Sequence, residues 1–340
     1  MRALMLREYH NLVVEELPNP EPGRGQVLID IVATGICGSD FHGYTGDNGR
    51  RERGQVMGHE SVGRIAADPS GAFEPGAAVT FNPLISCGEC AACTAGWQQH
   101  CASRTVIGVD PTIVAAFAER IVVPTANVVP LAAGVPIEFG ALVEPLAVAL
   151  HAVRRGAVGP GDVVLVMGGG PIGQSVVLAA IREGATTVVV SEPDPARRTL
   201  CERLGAVGID PAESAVADQI VAVTGALATV AIDAVGITPT IADALVSTRF
   251  GASIVLVGMG SPDVALAAYR VSTEERSVVG SFCYSNDHFQ DAAAWVGEGD
   301  DVFRELISRE VTMEGADAAF AALAAGDGTP GKVLVRFAAN

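Results

Sequence analysis

The feature that most constrains this chain is a glycine-rich turn between a strand-like run and a helix-like run. Val163–Met167 is continuously apolar, which is typical of a strand buried on both faces, and Ile172–Glu183 has helical spacing. The G-x-G-x-x-G pattern between them is weak evidence by itself, because the chain has 39 glycines and a tight turn needs no ligand. In this context it predicts a dinucleotide-binding βα unit whose helix N-terminus holds the phosphates. The predicted cofactor contacts are Gly168, Gly170, Pro171, Ile172 and Gly173.

The next strand-like run, Thr186–Ser191, ends beside an acidic residue. Glu192 follows the last glycine by about twenty residues, where a carboxylate can accept hydrogen bonds from the adenosine ribose and repel a 2′-phosphate. This position favours NAD over NADP, although a strand can also end in an acid without binding anything. Arg197 and Arg198 are near enough to meet a 2′-phosphate, and we expect Arg197 to stack near the adenine instead.

The pattern of apolar runs changes along the chain, which predicts two domains. Up to about Val129 the apolar runs are short and end at Gly, Pro or Asn, as in an irregular β-rich domain. From about Leu146, strand-like and helix-like runs alternate, which predicts a doubly wound parallel sheet. Gly331–Phe337 has the pattern of a last strand, one that could return to the first domain. The predicted fold class is therefore α/β, with a Rossmann domain and a smaller β-rich domain.

Four of the seven cysteines lie within one short stretch. In a long chain without an evident signal peptide, such clustering indicates metal binding rather than disulfides. Four thiolates suit a closed, tetrahedral structural Zn²⁺ site, while an iron–sulfur cluster and a metal-free reduced loop are the competing readings. The predicted ligands are Cys87, Cys90, Cys93 and Cys101.

A second set of metal-ligating residues is dispersed along the chain. Cys37 follows the strand-like run Gln26–Thr34, His59 and Glu60 open another strand, and Glu144 lies where the pattern of apolar runs changes. A sulfur, an imidazole and one or two carboxylates form the mixed set of a catalytic zinc site that keeps room for water or substrate. Each residue has an ordinary explanation when taken alone, and their occurrence together with the cysteine loop favours the metal.

Composition excludes several classes of protein. Lys and Arg number 22 against 39 Asp and Glu, a formal net charge of −17, which opposes binding to nucleic acid or to an anionic membrane. No apolar run approaches the length of about 20 residues that spans a bilayer, and the first residues do not form an apolar signal segment. We therefore expect a cytoplasmic protein that binds neither nucleic acid nor membrane.

Several motifs together resemble the zinc-dependent medium-chain dehydrogenase/reductases, and within them the sorbitol, butanediol and threonine dehydrogenase branch. Besides the glycine turn and the cysteine loop, the resemblance rests on Cys37–Asp40, Gly58–Glu60, Glu144–Leu146, Ser281–Tyr284 and Gly331–Leu334. It implies a GroES-like catalytic domain over residues 1–146, completed by about 285–340, and a Rossmann NAD-binding domain over 147–284. It also implies two zinc ions per chain and a homotetramer or homodimer.

The resemblance implies a role for each matching residue. Cys37, His59 and Glu60 would hold the catalytic zinc, with Glu144 as a fourth ligand in place of water, either permanent or exchangeable. Further catalytic and positioning roles would fall to Ser39 at the substrate oxygen, His42 at the outer end of a proton relay, Asp40 behind His59, and Tyr284 facing the substrate.

The expected activity is reversible hydride transfer between NAD and a secondary alcohol or small diol or polyol. Polyol-specific members carry an arginine where this chain has Cys283, which favours a smaller or less polar substrate. The alternatives are a zinc-dependent aldehyde or ketone reductase that uses NADPH, and a non-catalytic NAD-binding sensor.

Overall fold

The computed structural model describes residues 1–47, 49 and 51–337. Its strands are β1 Arg2–Glu8, β2 Asn11–Glu16, β3 Gln26–Gly35, β4 Gln55–Val56, β5 Glu60–Ala67, β6 Ala78–Phe81, β7 Leu84–Ile85, β8 Thr105–Val106, β9 Arg120–Pro124, β10 Val128–Pro130, β11 Val163–Met167, β12 Thr187–Ser191, β13 Val207–Ile209, β14 Ala228–Asp233, β15 Thr248–Leu256, β16 Ser277–Gly280, β17 Ile307–Thr312 and β18 Lys332–Arg336.

The α-helices are α1 Gly38–Thr45, α2 Ala91–Thr94, α3 Val143–Arg155, α4 Pro171–Arg182, α5 Pro195–Arg203, α6 Val216–Thr224, α7 Thr238–Ser247, α8 Ala268–Thr273, α9 Asn286–Gly297, α10 Val302–Glu305 and α11 Ala316–Ala324. Short 3₁₀ segments occupy Gln98–His100, Thr125–Asn127, Ile137–Leu142 and Met313–Gly315. The contacts divide the chain into one unit formed by Met1–Glu144 with Ser285–Asn340, and a second unit formed by Pro145–Tyr284.

The first unit is rich in β-structure. Its largest sheet has the order β10-β6-β5-β3-β18-β17, with β9 also paired to β3, and smaller sheets are formed by β2-β1-β4 and by β7-β8. The last strand of the chain, β18, pairs antiparallel with β3, so the C-terminal segment completes the sheet that the N-terminal segment begins. Its core is aliphatic and aromatic, with Phe81, Phe117 and Phe320 almost fully buried.

The second unit is a doubly wound parallel sheet. Its six strands have the order β13-β12-β11-β14-β15-β16, which places β11 at the centre and reverses the strand order between β11 and β14. All five pairings are parallel, and β11 runs from half-buried Val163 to four buried residues, as its apolar sequence predicts. Ligands of such sheets bind beyond the carboxyl ends of the strands at the point of reversal.

The predicted α/β class with a Rossmann sheet and a β-rich domain is confirmed by this architecture. Helical spacing in the sequence predicts a helix over 238–249 and a strand from Ala252, but α7 ends at Ser247 and β15 begins at Thr248. Thr248 forms a ladder pair with Ala228 before a register shift, so cross-strand pairing overrides local helical spacing there.

Candidate functional site

The four-cysteine loop brings its sulfurs to one point. The Sγ atoms of Cys87, Cys90, Cys93 and Cys101 all lie within 4.8 Å of one another. Three separations are 3.5 Å for Cys90–Cys93, 3.6 Å for Cys87–Cys101 and 3.9 Å for Cys87–Cys93. A tetrahedron with Zn–S bonds of about 2.3 Å has edges of about 3.8 Å, so these thiols fit one zinc ion. A multinuclear cluster would hold its cysteines farther apart, because several irons and sulfides lie between them.

Backbone amides of the loop favour the thiolate form of its first cysteine. Hydrogen bonds from the backbone amides of Glu89 and Cys90 lower the pKa of Cys87 to about 6. Hydrogen bonds from the neighbouring thiols lower it in the same direction. A lowered thiol pKa is what metal binding requires, because the ligand is the thiolate. Cys90 caps the N-terminus of helix α2 and Cys101 follows a 3₁₀ turn, so short local elements orient the sulfurs.

The second group of ligands is assembled by strand register. Gly35, the last residue of β3, pairs with Glu60 on β5 and with Leu334 on β18. Cys37 lies two residues beyond β3 and His59 immediately before β5. Ligand atoms of Cys37, His59 and Glu60 consequently lie within 4.8 Å of one another.

A buried ion pair lies over Gly35. Lys332 Nζ is 2.7 Å from Glu60 Oε1, and the two side chains are 3 % and 0 % exposed. A Cβ at Gly35 would lie 2.3 Å from Glu60 Oε2 and 3.2 Å from Lys332 Cδ, so only glycine leaves room for them. The other oxygen, Glu60 Oε2, is buried and has no hydrogen-bond partner within the described part of the chain, as expected of an atom that binds a metal. This orphaned oxygen, with the sulfur and imidazole beside it, fits zinc.

The surroundings of His59 favour positive charge at this place. Burial would lower the pKa of His59, but the charges of Asp40 and Cys37 raise it well above its ordinary value. Its Nδ1 lies 3.5 Å from Asp40 Oδ1, a charge contact without a hydrogen bond among the described residues. Asp40 also accepts a hydrogen bond from the Cys37 amide at 3.2 Å. Asp40 therefore lies against two of the three candidate ligands, where residues behind a metal site commonly lie.

A buried arginine links Asp40 to Ser39. Arg51 is 2 % exposed, and its Nη2 lies 3.2 Å from Ser39 Oγ and 3.3 Å from Asp40 Oδ1. The guanidinium donates to Ser39, so the hydroxyl of Ser39 can donate its own proton elsewhere. His42 is exposed on the same helix, α1, with its ring 4.6 Å from that of Phe41.

Glu144 is not in the group whose ligand atoms all lie within 4.8 Å of one another. It is buried in the first turn of α3 and lies close enough to Lys332 for its charge to act there. Burial would lower the pKa of Lys332, but Glu60, Cys37 and Glu144 together raise it above its usual value. The structure therefore places Glu144 at the edge of the buried charge cluster. Its role as an exchangeable ligand stays a prediction.

The glycine turn in the second unit has the form that a pyrophosphate needs. Gly170 caps helix α4 and Pro171 is its first residue, so the amides of Ile172 and Gly173 lie in the turn that lacks intrahelical partners. A Cβ at Gly173 would lie 1.9 Å from the carbonyl oxygen of Gly168, which makes glycine obligatory there. Apart from Gly170 itself and its two chain neighbours, no described residue has a heavy atom within 4 Å of a Cβ built on Gly170, which leaves space for a ligand.

Glu192 is held at the end of β12, beside this turn. Its Oε2 accepts a hydrogen bond from the Gly169 amide at 2.6 Å, and its Oε1 accepts one from the Asp194 amide at 2.8 Å. The side chain of Arg197 is half-buried on α5, and its Nε has no hydrogen-bond partner among the described residues. The carboxylate is therefore fixed against the phosphate-binding loop that it is expected to complement.

The segment expected to face the substrate lies at the end of the second unit. Tyr284 is 1 % exposed, and Cys283 before it is half-buried with a φ of 48°, a left-handed conformation that is uncommon outside glycine. The role of Tyr284 stays a prediction.

Two charged residues of the first unit are additions to the predicted site. Lys332 is the only lysine of the chain and lies in the motif Gly331–Leu334, but nothing local tied it to Glu60, 272 residues away. Arg51 lies among other arginines, and no pattern in the sequence distinguishes the buried one. The one sequence feature that could have indicated a buried ion pair was the position of Lys332 in an otherwise apolar strand-like run.

Comparisons with known proteins agree with this architecture. The alcohol dehydrogenase GroES-like domain matches residues 23–133, and the zinc-binding dehydrogenase family matches residues 171–298. The chain is 34 % identical to L-galactonate-5-dehydrogenase of Escherichia coli K12 over 88 % of each chain. It is 32 % identical to sorbitol dehydrogenase of Bacillus subtilis 168, over 85 % of this chain and 84 % of that one. A zinc-binding dehydrogenase of Sinorhizobium meliloti 1021 bound to NADP superposes with a TM-score of 0.90, at 31 % identity and 99 % coverage of both chains.

Fold, ligand groups and relatives define a zinc-dependent, NAD(P)-dependent oxidoreductase. The chain belongs to the medium-chain dehydrogenase/reductase family, in the branch that contains the sorbitol and galactonate dehydrogenases. No helix among the described residues is long and apolar enough to cross a membrane.

Proposed function

We propose that this enzyme oxidises a secondary alcohol, such as a small diol, polyol or hydroxy acid, to a ketone with NAD, reversibly. The observation that carries the proposal is the buried Cys37–His59–Glu60 group with its unpartnered carboxylate oxygen. The balanced reaction takes a hydride from the carbinol carbon to NAD⁺ and releases one proton from the hydroxyl. The L-galactonate-5-dehydrogenase relative, by its name, also acts on a hydroxylated acid.

Cys37, His59 and Glu60 would hold the catalytic zinc, with Glu144 in reserve as an exchangeable ligand. Zinc, when bound, supplies a Lewis acid that lowers the pKa of the substrate hydroxyl, and the nicotinamide, when bound, accepts the hydride. Ser39 accepts the substrate's hydroxyl proton at its Oγ and releases its own proton toward His42, while Arg51 holds the Oγ at 3.2 Å. His42, exposed on the same helix, passes the proton to solvent, and Tyr284 shapes the substrate site.

We propose NAD as the preferred cofactor because the Glu192 carboxylate lies beside the glycine turn. It can accept hydrogen bonds from the ribose hydroxyls, and it would repel a 2′-phosphate. The glycine turn, Gly168–Gly173, holds the pyrophosphate, and Arg197 lies against the adenosine.

A second zinc in the four-cysteine loop has a structural role in this proposal. Its four sulfurs leave no open coordination position, so it contributes to folding and not to the chemistry. The clustering of these four cysteines also favours a cytoplasmic location, because such clusters bind metal where reducing conditions prevent disulfides.

The edge strand β16 supports assembly into a homodimer, or a homotetramer built from dimers. Among the strand pairings of the described residues, β16 pairs only with β15, and it presents Val278 at 39 % exposure. Phe250 and Phe282 are also exposed in the same unit, at 71 % and 42 %. A free apolar edge of this kind is covered in most proteins, and a second copy can extend the sheet across it. Sedimentation of the purified protein measures this, and a monomer would contradict it.

The experiment that tests the proposed activity uses the purified full chain. Zinc content is measured by elemental analysis, and initial rates are measured with secondary alcohols, vicinal diols, polyols, sugar acids and threonine, each with NAD and with NADP. We expect two zinc ions per chain, and NAD-dependent oxidation of at least one secondary alcohol. One zinc per chain, or iron in the cysteine loop, would contradict the two-zinc assignment. No oxidation of any alcohol with either cofactor would contradict the proposed activity.

A reductase that uses NADPH is the second candidate. The structural neighbour bound to NADP supports it, since the two chains superpose over 99 % of their length. Rates are also measured with aldehydes and ketones and with both NADH and NADPH. The ratio of kcat/KM with NADPH for carbonyl reduction to kcat/KM with NAD for alcohol oxidation then separates the two candidates.

A further inference from the structure

We propose that Arg198 is a positioning residue that holds Glu192 for NAD, and that it does not bind a 2′-phosphate. The inference rests on the proposed nucleotide site and names the side chain that sets its specificity. Two adjacent arginines after an acidic strand end would otherwise suggest a pocket for NADP. The contacts of Arg198 indicate the opposite role.

The guanidinium of Arg198 is directed back toward the end of β12. Its Nη1 donates to the carbonyl oxygen of Glu192 at 2.6 Å and to that of Pro193 at 3.1 Å. The same nitrogen lies 3.2 Å from Asp210 Oδ2, and the side chains of Arg198 and Asp210 are only 20 % and 19 % exposed. The cationic group is therefore bound to three oxygens of the protein, and its charge is balanced by Asp210.

The neighbouring strand has a gap that admits this arginine. Gly208 lies on β13, and a Cβ there would lie 2.5 Å from Arg198 Cγ. The aliphatic stem of Arg198 thus passes over a residue without a side chain, which fixes the direction of the guanidinium. The position opposite Gly208 on β12 is Val190, two residues before Glu192.

These contacts fix the backbone from which the Glu192 carboxylate extends. The Glu192 amide donates to the carbonyl oxygen of Ile209 at 3.0 Å, and Arg198 holds the carbonyl on the other side. The carboxylate can then bond to the Gly169 amide at 2.6 Å. Glu192 is consequently held on both sides of its Cα, and its charge faces the ribose position. Arg198 acts on the nucleotide only through Glu192.

The test is a double-mutant cycle on the full-length, zinc-loaded enzyme. The variants are Arg198→Ala, Glu192→Ala and the double variant, and Arg198→Lys tests rescue because an ammonium can still donate to the carbonyls. Arg154→Ala is the matched control, since it removes another half-buried ion pair of the same domain, to Glu183 at 2.9 Å. NADH and NADPH binding are measured by fluorescence titration, and kcat and KM are measured with NAD and NADP.

We expect Arg198→Ala to raise the KM for NAD by about three- to tenfold, with kcat within about twofold of wild type. The NAD/NADP preference should narrow by a similar factor, and Arg198→Lys should recover part of it. In the Glu192→Ala background, removing Arg198 should change the preference by less than about twofold, because the two residues act as one unit. Arg154→Ala should leave the preference unchanged.

Three outcomes would overturn the inference. The first is that Arg198→Ala weakens NADPH binding and leaves NADH binding unchanged. The second is that the effects of Arg198→Ala and Glu192→Ala on the NAD/NADP preference add in the double variant. The third is that Arg198→Ala leaves the NAD/NADP preference unchanged. A wild type that prefers NADPH would instead contradict the proposed cofactor preference itself. A general loss of folding in Arg198→Ala is recognised by a fall in the melting temperature and in kcat together. In that case Asp210→Asn decides, since it leaves both carbonyl contacts of Arg198 and removes only its charge partner. The preference for NADH over NADPH should stay within about twofold of wild type. A severalfold gain in NADPH binding would refute the inference, because it would show that Arg198 reaches a 2′-phosphate.

Discussion

Replacing Lys332 by Met tests whether the buried charge beside the proposed catalytic zinc is balanced as the structure indicates. Lys332 Nζ lies 2.7 Å from Glu60 Oε1, and neither side chain is more than 3 % exposed. Methionine has a similar length and no charge, so the change leaves the Glu60 carboxylate buried without its cation. Removing one partner of a buried ion pair costs about 3–5 kcal/mol.

The effect is expected in the thermal transition of the first unit, which has roughly 200 residues. For a domain of this size, 1 kcal/mol corresponds to about 2–4 °C, so the melting temperature should fall by roughly 6–20 °C in zinc-free protein. Zinc neutralises the same carboxylate, and the loss should therefore be smaller with zinc in excess. Calorimetry of wild type and variant, with chelator and with zinc, measures both differences.

The matched control is Arg53→Met. Arg53 lies 2.9 Å from Glu8 in the same unit, but the two side chains are 60 % and 64 % exposed. Water and salt screen an exposed ion pair of this kind, so Arg53→Met should shift the melting temperature far less than Lys332→Met. If Lys332→Met shifted the melting temperature no more than Arg53→Met, or by the same amount with and without zinc, the reasoning would be refuted.

Two further predictions concern the cysteine loop and the proton relay. Cys93→Ser should lose one zinc ion per chain and lower the melting temperature, because a closed four-sulfur site contributes to folding. Activity should fall only in proportion to the loss of folded protein. Elemental analysis and calorimetry check this, and a complete loss of activity in a stable protein that keeps two zinc ions would contradict it. His42→Ala should lower kcat by about tenfold to a hundredfold with partial recovery at high pH, and Ser39→Ala should lower it further, since a relay step is worth about 10²–10⁴. Rates from pH 6 to pH 10 decide, with zinc content as the control, and wild-type activity of His42→Ala at every pH would remove His42 from the mechanism.

Wherever the determining interactions are local, the sequence alone was sufficient. The strand Val163–Met167 has the predicted bounds, and the helix after the glycine turn begins within one residue of its predicted start. The cysteine loop spans only residues 87 to 101, so its spacing already implied that four sulfurs could meet. The alternation of strands and helices was enough for the doubly wound sheet, because apolar periodicity reports burial directly.

Only the tertiary structure decided which charges meet. Lys332 joins Cys37 and Glu60, which the sequence motifs had already grouped, because β3 pairs with β5 on one side and with β18 on the other, a register that no local pattern specifies. The commitment of Arg198 to main-chain carbonyls and Asp210 likewise depends on the gap at Gly208 in the neighbouring strand. A residue's type sets the chemistry it can perform. Its partners are set by long-range strand pairing, and these decide whether an arginine binds a phosphate or holds a carboxylate in place.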